Sequence, residues 1–242
     1  MIRVRVISLS ESTGRRAAMA AQLARVSGLE WAFVDAETAP PADLPYDDAG
    51  ARRTIRRPLS RGEQGCFASH VALWRWLVAQ PQGTILVVLE DDLIVDPDFF
   101  AELPAVCAAA PVDYLRLYAK APVGARVRGR VAGRHLVRYR GLAFGTQAYV
   151  LRQAGAARWL ASISRMVRPV DDEIDRYWAH GVPNMGLFPF PVIERSGPST
   201  IELARRQLPP PRWHAFGWQL RRLRESAWRR WANLQNDLKG QP

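Results

Sequence analysis

The stretch Thr84-Ile85-Leu86-Val87-Val88-Leu89-Glu90-Asp91-Asp92 decides the fold. Between Gly83 and the three acids runs an apolar segment rich in β-branched residues, too short for a helix and too continuous for a strand with one wet face. It predicts a central strand covered on both faces, as in an open α/β sheet, where ligands sit at the carboxyl ends of strands. An extended backbone would send Glu90 and Asp92 to one side and Asp91 to the other. Two convergent carboxylates suit a hard divalent cation, Mg²⁺ or Mn²⁺, whose other ligands come from water and phosphate. The plainer reading is a solvated turn, with Asp92 or Asp96 merely capping the next segment, and acid clusters at strand ends also occur in phosphatases and nucleases.

Upstream, residues 4–9 read as the first strand, 15–26 as a helix and 31–36 as a second strand, a β-α-β unit that implies parallel pairing. The turn Ser10-Glu11-Ser12-Thr13-Gly14-Arg15-Arg16 sets two arginines and helix-start amides near a strand end, either a phosphate cradle or an ordinary solvated helix start. Prolines, acids and arginines over residues 40–58 indicate an irregular excursion. Ser60-Arg61-Gly62-Glu63 has capping-box spacing and should open a helix over 61–79. Its apolar rows put His70 on the buried side, where a histidine is usually a hydrogen-bonded core residue.

Downstream, a helix is expected from Pro97 through Cys107 and a strand over 113–118. The arginines between Lys120 and Arg140 alternate with Val and Gly around Ala132-Gly133, which predicts a basic β-hairpin. Residues 143–151 read as a strand, with Gly145 where a backbone approaches closely, and 154–163 as a helix. Arg168-Pro169-Val170-Asp171-Asp172-Glu173-Ile174-Asp175 is an acid-rich helix start, or the location of a general base at Asp171 or Asp172. A last strand over 186–193 precedes a loop at 196–200, where the globular domain should end.

With 242 residues, 48% of them hydrophobic, the chain can bury a real core, most simply one α/β domain over 1–200 with an appendage over 201–242. The net charge of +11 requires an anionic partner to be considered. All but Lys120 and Lys239 of the 34 basic residues are arginine, which suggests a GC-rich, bacterial genome. Cys66 and Cys107 lack metal-like spacing and read as reduced core thiols of a cytoplasmic protein. The charged N-terminus argues against a signal peptide, and no segment is long and apolar enough to span a bilayer. Residues 203–242 carry nine basic residues against two acids, contributing +7 of the +11. There Trp213, Phe216, Leu220, Leu223, Ala227, Trp231, Leu234 and Leu238 recur at helical spacing, the pattern of a basic amphipathic helix lying on anionic lipid or packing back on the domain.

Five segments in order resemble glycosyltransferase family 25, the lipopolysaccharide and lipooligosaccharide galactosyltransferase family: Ile7-Ser8-Leu9 with Arg15-Arg16, residues 59–66 with Ser69-His70, Leu89-Glu90-Asp91-Asp92, Gly145-Thr146-Gln147-Ala148-Tyr149, and Pro169-Val170-Asp171. The resemblance implies a GT-A-like, Rossmann-type domain with a mixed, mostly parallel sheet. It also implies transfer of a hexose, galactose in the first instance, from a UDP-sugar to a glycan or glycolipid acceptor with inversion. On that reading Glu90 and Asp92 hold Mn²⁺ or Mg²⁺. Ser8, Arg15, Arg16, Asp35, Ser69, His70 and Asp91 serve the donor, Thr146 and Tyr149 the sugar or acceptor side, and Asp171 or its duplicate Asp172 the base. Gln147-Ala148 departs from the family's usual glycine before Tyr149. The tail over 203–242 would hold the enzyme on the inner face of the cytoplasmic membrane. The competing class is a non-catalytic basic module for anionic lipid or nucleic acid. The acid cluster speaks against nucleic acid, which it would repel. A metal-dependent phosphatase would need an aspartate near the first strand's end, and Ser8-Leu9-Ser10-Glu11 has none.

Overall fold

The computed structural model describes residues 1–121, 123–195 and 215–238, leaving aside the side chains of 215–217. The deciding stretch forms β3 (Ile85–Glu90), with Ile85, Val87 and Leu89 in one apolar cluster and Leu86 and Val88 in another. Both faces are therefore covered, which is why its sequence is continuously apolar rather than alternating. Before it come β1 (Ile2–Ser8), α1 (Thr13–Leu23), β2 (Trp31–Asp35), α2 (Asp48–Ile55) and α3 (Arg61–Val78). After it come β4 (Leu93–Val95), α4 (Pro97–Ala101), α5 (Leu103–Ala109), β5 (Tyr114–Arg116), β6 (Ala125–Val131), β7 (Arg134–Tyr139), β8 (Ala148–Arg152) and α6 (Gln153–Ser162). The chain continues through α7 (Val170–Ile174), α8 (Tyr177–His180), β9 (Met185–Phe188), β10 (Val192–Glu194) and α9 (Ala215–Leu238).

Eight strands form one mixed sheet in the order β2-β1-β3-β8-β5-β9-β7-β6. β7 and β8 oppose the other six. From β1 the chain steps to β2 on one side and returns as β3 on the other, so the carboxyl ends of β1 and β3 flank a topological switch point. α1, α4 and α5 cover one face of the sheet, and α3, α6 and α7 the other, around Trp74 and Trp159 with ring centroids 4.8 Å apart. α3 opens as its sequence foretold: Ser60 Oγ accepts from the Glu63 amide and Glu63 reaches back to the Ser60 amide. Such a cap stabilises a helix by about 1 kcal/mol.

Several sequence expectations are corrected. The 40–58 excursion contains α2, whose start is fixed by Asp47 accepting from the Gly50 amide. The helix expected from Pro97 through Cys107 is two, because Pro104 in the first turn of α5 has no amide to continue α4. The strand expected over 143–151 begins only at Ala148; Phe144 and Gly145 take φ of 52° and 84°, left-handed values that no strand accommodates. The last strand is split, β9 joining the main sheet and β10 pairing with the unforeseen β4. The expected basic hairpin is β6 and β7, turning at Ala132 and Gly133, both at positive φ. The proposed loop at 196–200 lies outside the described residues.

α9 lies against the domain through its polar side. Trp218 stacks under Arg56, Glu225 faces Arg168 and Arg176, and Asn233 bonds Tyr177 Oη at 2.9 Å. Asp237 meets Arg126, Arg128, Arg138 and Arg140 of the hairpin region, Arg138 being buried. The opposite side shows Leu220, Leu223, Trp231, Leu234 and Leu238 to the outside, with Leu223 66% and Trp231 62% exposed. These are members of the stripe read from the sequence; of its other members, Trp213 lies outside the described residues and the Phe216 side chain is not described. No helix among the described residues is long and apolar enough to cross a membrane.

Because Asp237 is the acid shared by those arginines, Asp237→Ala should loosen the last turns of α9 while leaving the domain folded. Hydrogen exchange should accelerate about ten- to a hundredfold over 230–238, matching about 1–3 kcal/mol for an unpaired partner, with little change elsewhere.

Candidate functional site

At the switch point opens a cavity of about 1290 Å³, walled by the ends of β1 and β3, the start of α3, the 144–147 loop and the start of α7. Asp91, the central acid of the triplet, is tied down: it accepts from Ser8 Oγ at 2.6 Å and pairs with Arg15 at 3.0 Å. This joins the ends of β1 and β3 across the switch point. Glu90 turns toward α3, accepting from Thr146 Oγ1 at 2.8 Å and lying 3.8 Å from His70 Nε2. Burial works to raise the Glu90 carboxyl, but His70, Thr146 and Lys120 outweigh it and hold the group below its ordinary value. Asp92 behaves oppositely. Burial first, then Glu90, Glu194 and Asp91, push it up to about 7, only partly offset by Arg15. Its Oδ1 is buried without a hydrogen-bond partner.

An orphaned carboxylate oxygen among like charges fits a hard divalent cation. The oxygen donors of Asp92 and Glu90 are the residues that would hold Mn²⁺ or Mg²⁺ there.

The loop facing these acids is fixed from beneath. Arg116, fully buried, donates from Nη1 to the carbonyls of Phe144 at 2.6 Å and Gly145 at 2.5 Å, and from Nη2 to Asp175 at 2.6 Å. Asp175 in turn accepts from the Phe144 amide at 2.6 Å and from Asn184 at 2.7 Å. At Gly145, whose φ is 84°, a Cβ would overlap the Gln147 side chain. Asp171 accepts from the Gly145 amide at 3.2 Å and from the Asp172 amide at 2.9 Å. Burial first, then Glu90 and Asp171, raise the Cys66 thiol, which puts Asp171 on its side of the cavity, whereas Asp172 sits among Arg168, Glu173 and Glu225 on the α9 side. Burial chiefly, with Asp171, Glu173 and Glu225 adding and Arg168 opposing, lifts Asp172 to about 7.

The expected site residues thus divide. Ser8, Arg15, Ser69, His70, Glu90, Asp91, Asp92, Thr146, Asp171 and Asp172 all line the cavity. Arg16 and Asp35, expected at the nucleotide, do not: Arg16 bonds Ser8 O at 2.8 Å and Leu9 O at 3.1 Å and pairs with Asp35, closing the ends of β1 and β2. Tyr149, expected on the sugar or acceptor side, is fully buried under the cavity, where its hydroxyl meets His70 Nδ1 at 2.8 Å and accepts from Trp74 at 2.9 Å. Cys66, read as a core thiol, is half-buried in the cavity wall; Cys107 is in the core. Ser69 accepts from the Glu37 amide at 2.8 Å, and Gly65 lies so close to the Glu37 carbonyl that a Cβ would collide with it. Lys120, Gln147 and Glu194 line the cavity unforeseen. So is the Arg116–Asp175 pair, although an arginine inside Tyr114-Leu115-Arg116-Leu117-Tyr118 was a signal that a buried acid must lie opposite.

The family model described as glycosyltransferase family 25 (LPS biosynthesis protein) matches residues 1–174. Among curated relatives, the inactive glycosyltransferase 25 family member 3 of Homo sapiens is 33% identical over 133 residues, 52% of this chain and 21% of that protein. A glycosyltransferase 25 family member of Aedes aegypti is 48% identical over 44 residues, 18% of this chain and 7% of its own. The chain therefore spans about a quarter or less of the length of the curated relatives it matches. A solved glycosyltransferase involved in glycosylation of the major capsid of PBCV-1 aligns over 64% of this chain and 62% of its own at 10% identity and a TM-score of 0.34.

A carboxyl raised in the folded state contributes stability below its unfolded value, and loses it as pH rises through the folded one. For Asp172 that window runs from about 4 to about 7. Asp172→Asn should therefore stabilise the protein on the order of 1–3 kcal/mol at pH 8 and much less at pH 4, read from denaturant midpoints.

Proposed function

Because the chain belongs to glycosyltransferase family 25, we propose that it is an inverting, GT-A-like hexosyltransferase moving a sugar, galactose in the first instance, from a UDP donor to a lipopolysaccharide-type glycan acceptor. The observation that carries this reading is the set of acids at the switch point, with Asp92 left partnerless at one oxygen and Asp171 across the cavity. Mn²⁺ or Mg²⁺ held by Asp92 and Glu90 would supply neutralisation of the departing diphosphate. Arg15, fixed by Asp91, and Lys120 add cationic groups for phosphate at the same wall. Ser8 orients Asp91, and Ser69 and His70 shape the α3 wall. Asp171 is the base: it takes the proton of the acceptor hydroxyl as that oxygen attacks the anomeric carbon from the side opposite the diphosphate. Its hydrogen bonds to the Gly145 and Asp172 amides orient it, and Thr146, beside Glu90, lines the sugar side.

Several relatives bear the word inactive in their names, which makes an inactive, binding-only member the alternative. Turnover measured over a panel of UDP-sugars with an extracted glycan acceptor separates the two. Wild type should turn over with Mn²⁺ or Mg²⁺ and stop under chelator, and Asp92→Asn should abolish the metal-dependent rate. Asp171→Asn should lower kcat about a hundred- to ten-thousandfold with little change in donor affinity. Donor binding without turnover in wild type would favour the inactive reading.

The acceptor side of the proposal includes a partner surface. The outward apolar stripe of α9, flanked by Arg221, Arg224 and Arg230, suits the headgroup region of an anionic bilayer, with the enzyme peripheral on the inner face of the cytoplasmic membrane. Each arginine near such a surface contributes about 1 kcal/mol, weakened by salt. Leu223→Glu with Trp231→Glu should cut binding to phosphatidylglycerol vesicles at least tenfold and keep turnover on a short soluble acceptor. Unchanged vesicle binding, or dimers that the variant dissolves, would assign the stripe elsewhere.

A further inference from the structure

His70 offers the cavity more than a wall. The His70 ring is fully buried, and its Nε2, 3.8 Å from Glu90, makes no hydrogen bond at the cavity wall. Its other nitrogen is engaged by the Tyr149 hydroxyl, which Trp74 also holds. One helical turn before it on the same face of α3 is Cys66, and opposite stands Glu90 at the end of β3. The sulfur, the imidazole nitrogen and a carboxylate oxygen all lie within 4.8 Å of one another.

Thiolate, imidazole and carboxylate together differ in kind from the oxygen donors offered at Asp92. Oxygen-only sites suit Mg²⁺ and Mn²⁺; sulfur with nitrogen selects zinc and its chemical neighbours. Bond lengths of about 2.0–2.3 Å to a tetrahedral zinc put ligand atoms about 3.5 Å apart, so side-chain rotation of about 1 Å closes this set. The supports that ligands need are already in place. Tyr149 Oη can accept from His70 Nδ1–H, which is what a histidine bound through Nε2 requires, and Thr146 donates to Glu90. The helical pair is rigid, since Ser69 bonds the Gly65 carbonyl and the Glu37 amide between them.

We propose that Cys66 Sγ, His70 Nε2 and the Glu90 carboxylate form a three-ligand site for one zinc-class ion, with its fourth position open to the cavity. Binding sends the thiol proton to solvent, leaving the thiolate on the metal. Because Glu90 cannot serve both, an ion here draws it from Asp92 and antagonises the hard cation, a consequence that rests on the function proposed above. The site itself does not.

The test uses the full chain, reduced and freed of metal, titrated with Co²⁺ alone. One equivalent should produce the visible bands of four-coordinate cobalt together with a near-ultraviolet thiolate-to-cobalt charge-transfer band, and Zn²⁺ should displace both. Cys66→Ser should abolish the charge-transfer band and weaken Zn²⁺ about tenfold to a hundredfold or more, while Cys107→Ser, in the opposite core, should change neither. Asp92→Asn should keep the cobalt spectrum whatever becomes of Mn²⁺ dependence, so the two sites stand or fall separately. Circular dichroism of Cys66→Ser and of Cys66→Ala guards against a folding artefact. A wild-type spectrum without thiolate character, or a charge-transfer band that survives in either folded Cys66 variant, overturns the proposal.

Discussion

The cavity depends on one buried ion pair. Arg116 and Asp175 are both fully removed from water, a condition that costs several kcal/mol per charge unless every polar atom finds a partner. Here the partners are the Phe144 and Gly145 carbonyls, the Phe144 amide and Asn184. Desolvation of the pair is thus offset by hydrogen bonds that hold the 144–147 loop in a backbone conformation it would otherwise avoid. That loop delivers Thr146 to Glu90 and its Gly145 amide to Asp171. A single charged residue in the middle of the sheet, on β5, therefore sets the distance between the two acid groups that the proposed chemistry requires.

The triplet at the end of β3 is differentiated by what each acid touches. Asp91 is neutralised by Arg15 and serves as a tie between strands; Glu90 is kept ionised by polar contacts on the α3 side; Asp92 is left among carboxylates with its proton affinity raised. Three adjacent residues of nearly the same chemistry thus acquire three different electrostatic characters, since each meets different neighbours at the strand end.

How much of the molecule could be read from the sequence depends on how local each signal is. The covered strand at 85–90, the capping box at Ser60 and Glu63 and the hairpin turn at Ala132 and Gly133 are set by neighbours a few residues away, and the structure has them where the pattern put them. The five spaced segments were enough to recognise the family. Partners distant in sequence were not legible. Tyr149 was placed on the substrate side because it lies just beyond Thr146, yet strand alternation and the Trp74 indole take it beneath the cavity. Arg16 and Asp35 have the right types for a nucleotide, but they satisfy one another. Cys66 read as core because the apolar row of α3 continues past the edge of the core into the cavity wall.

The orientation of α9 places a condition on its length. Glu225 and Asp237 both face the domain and are separated by twelve residues, about 18 Å along the axis and about three and a third turns. One residue inserted or deleted between them would turn the distal half by about 100°, carrying Asp237 off its arginines and swinging Leu234 and Leu238 out of line with Leu220 and Leu223. The outward residues of this helix can drift as long as they stay apolar, but the number of residues between its two acidic contacts is held fixed by the surface beneath.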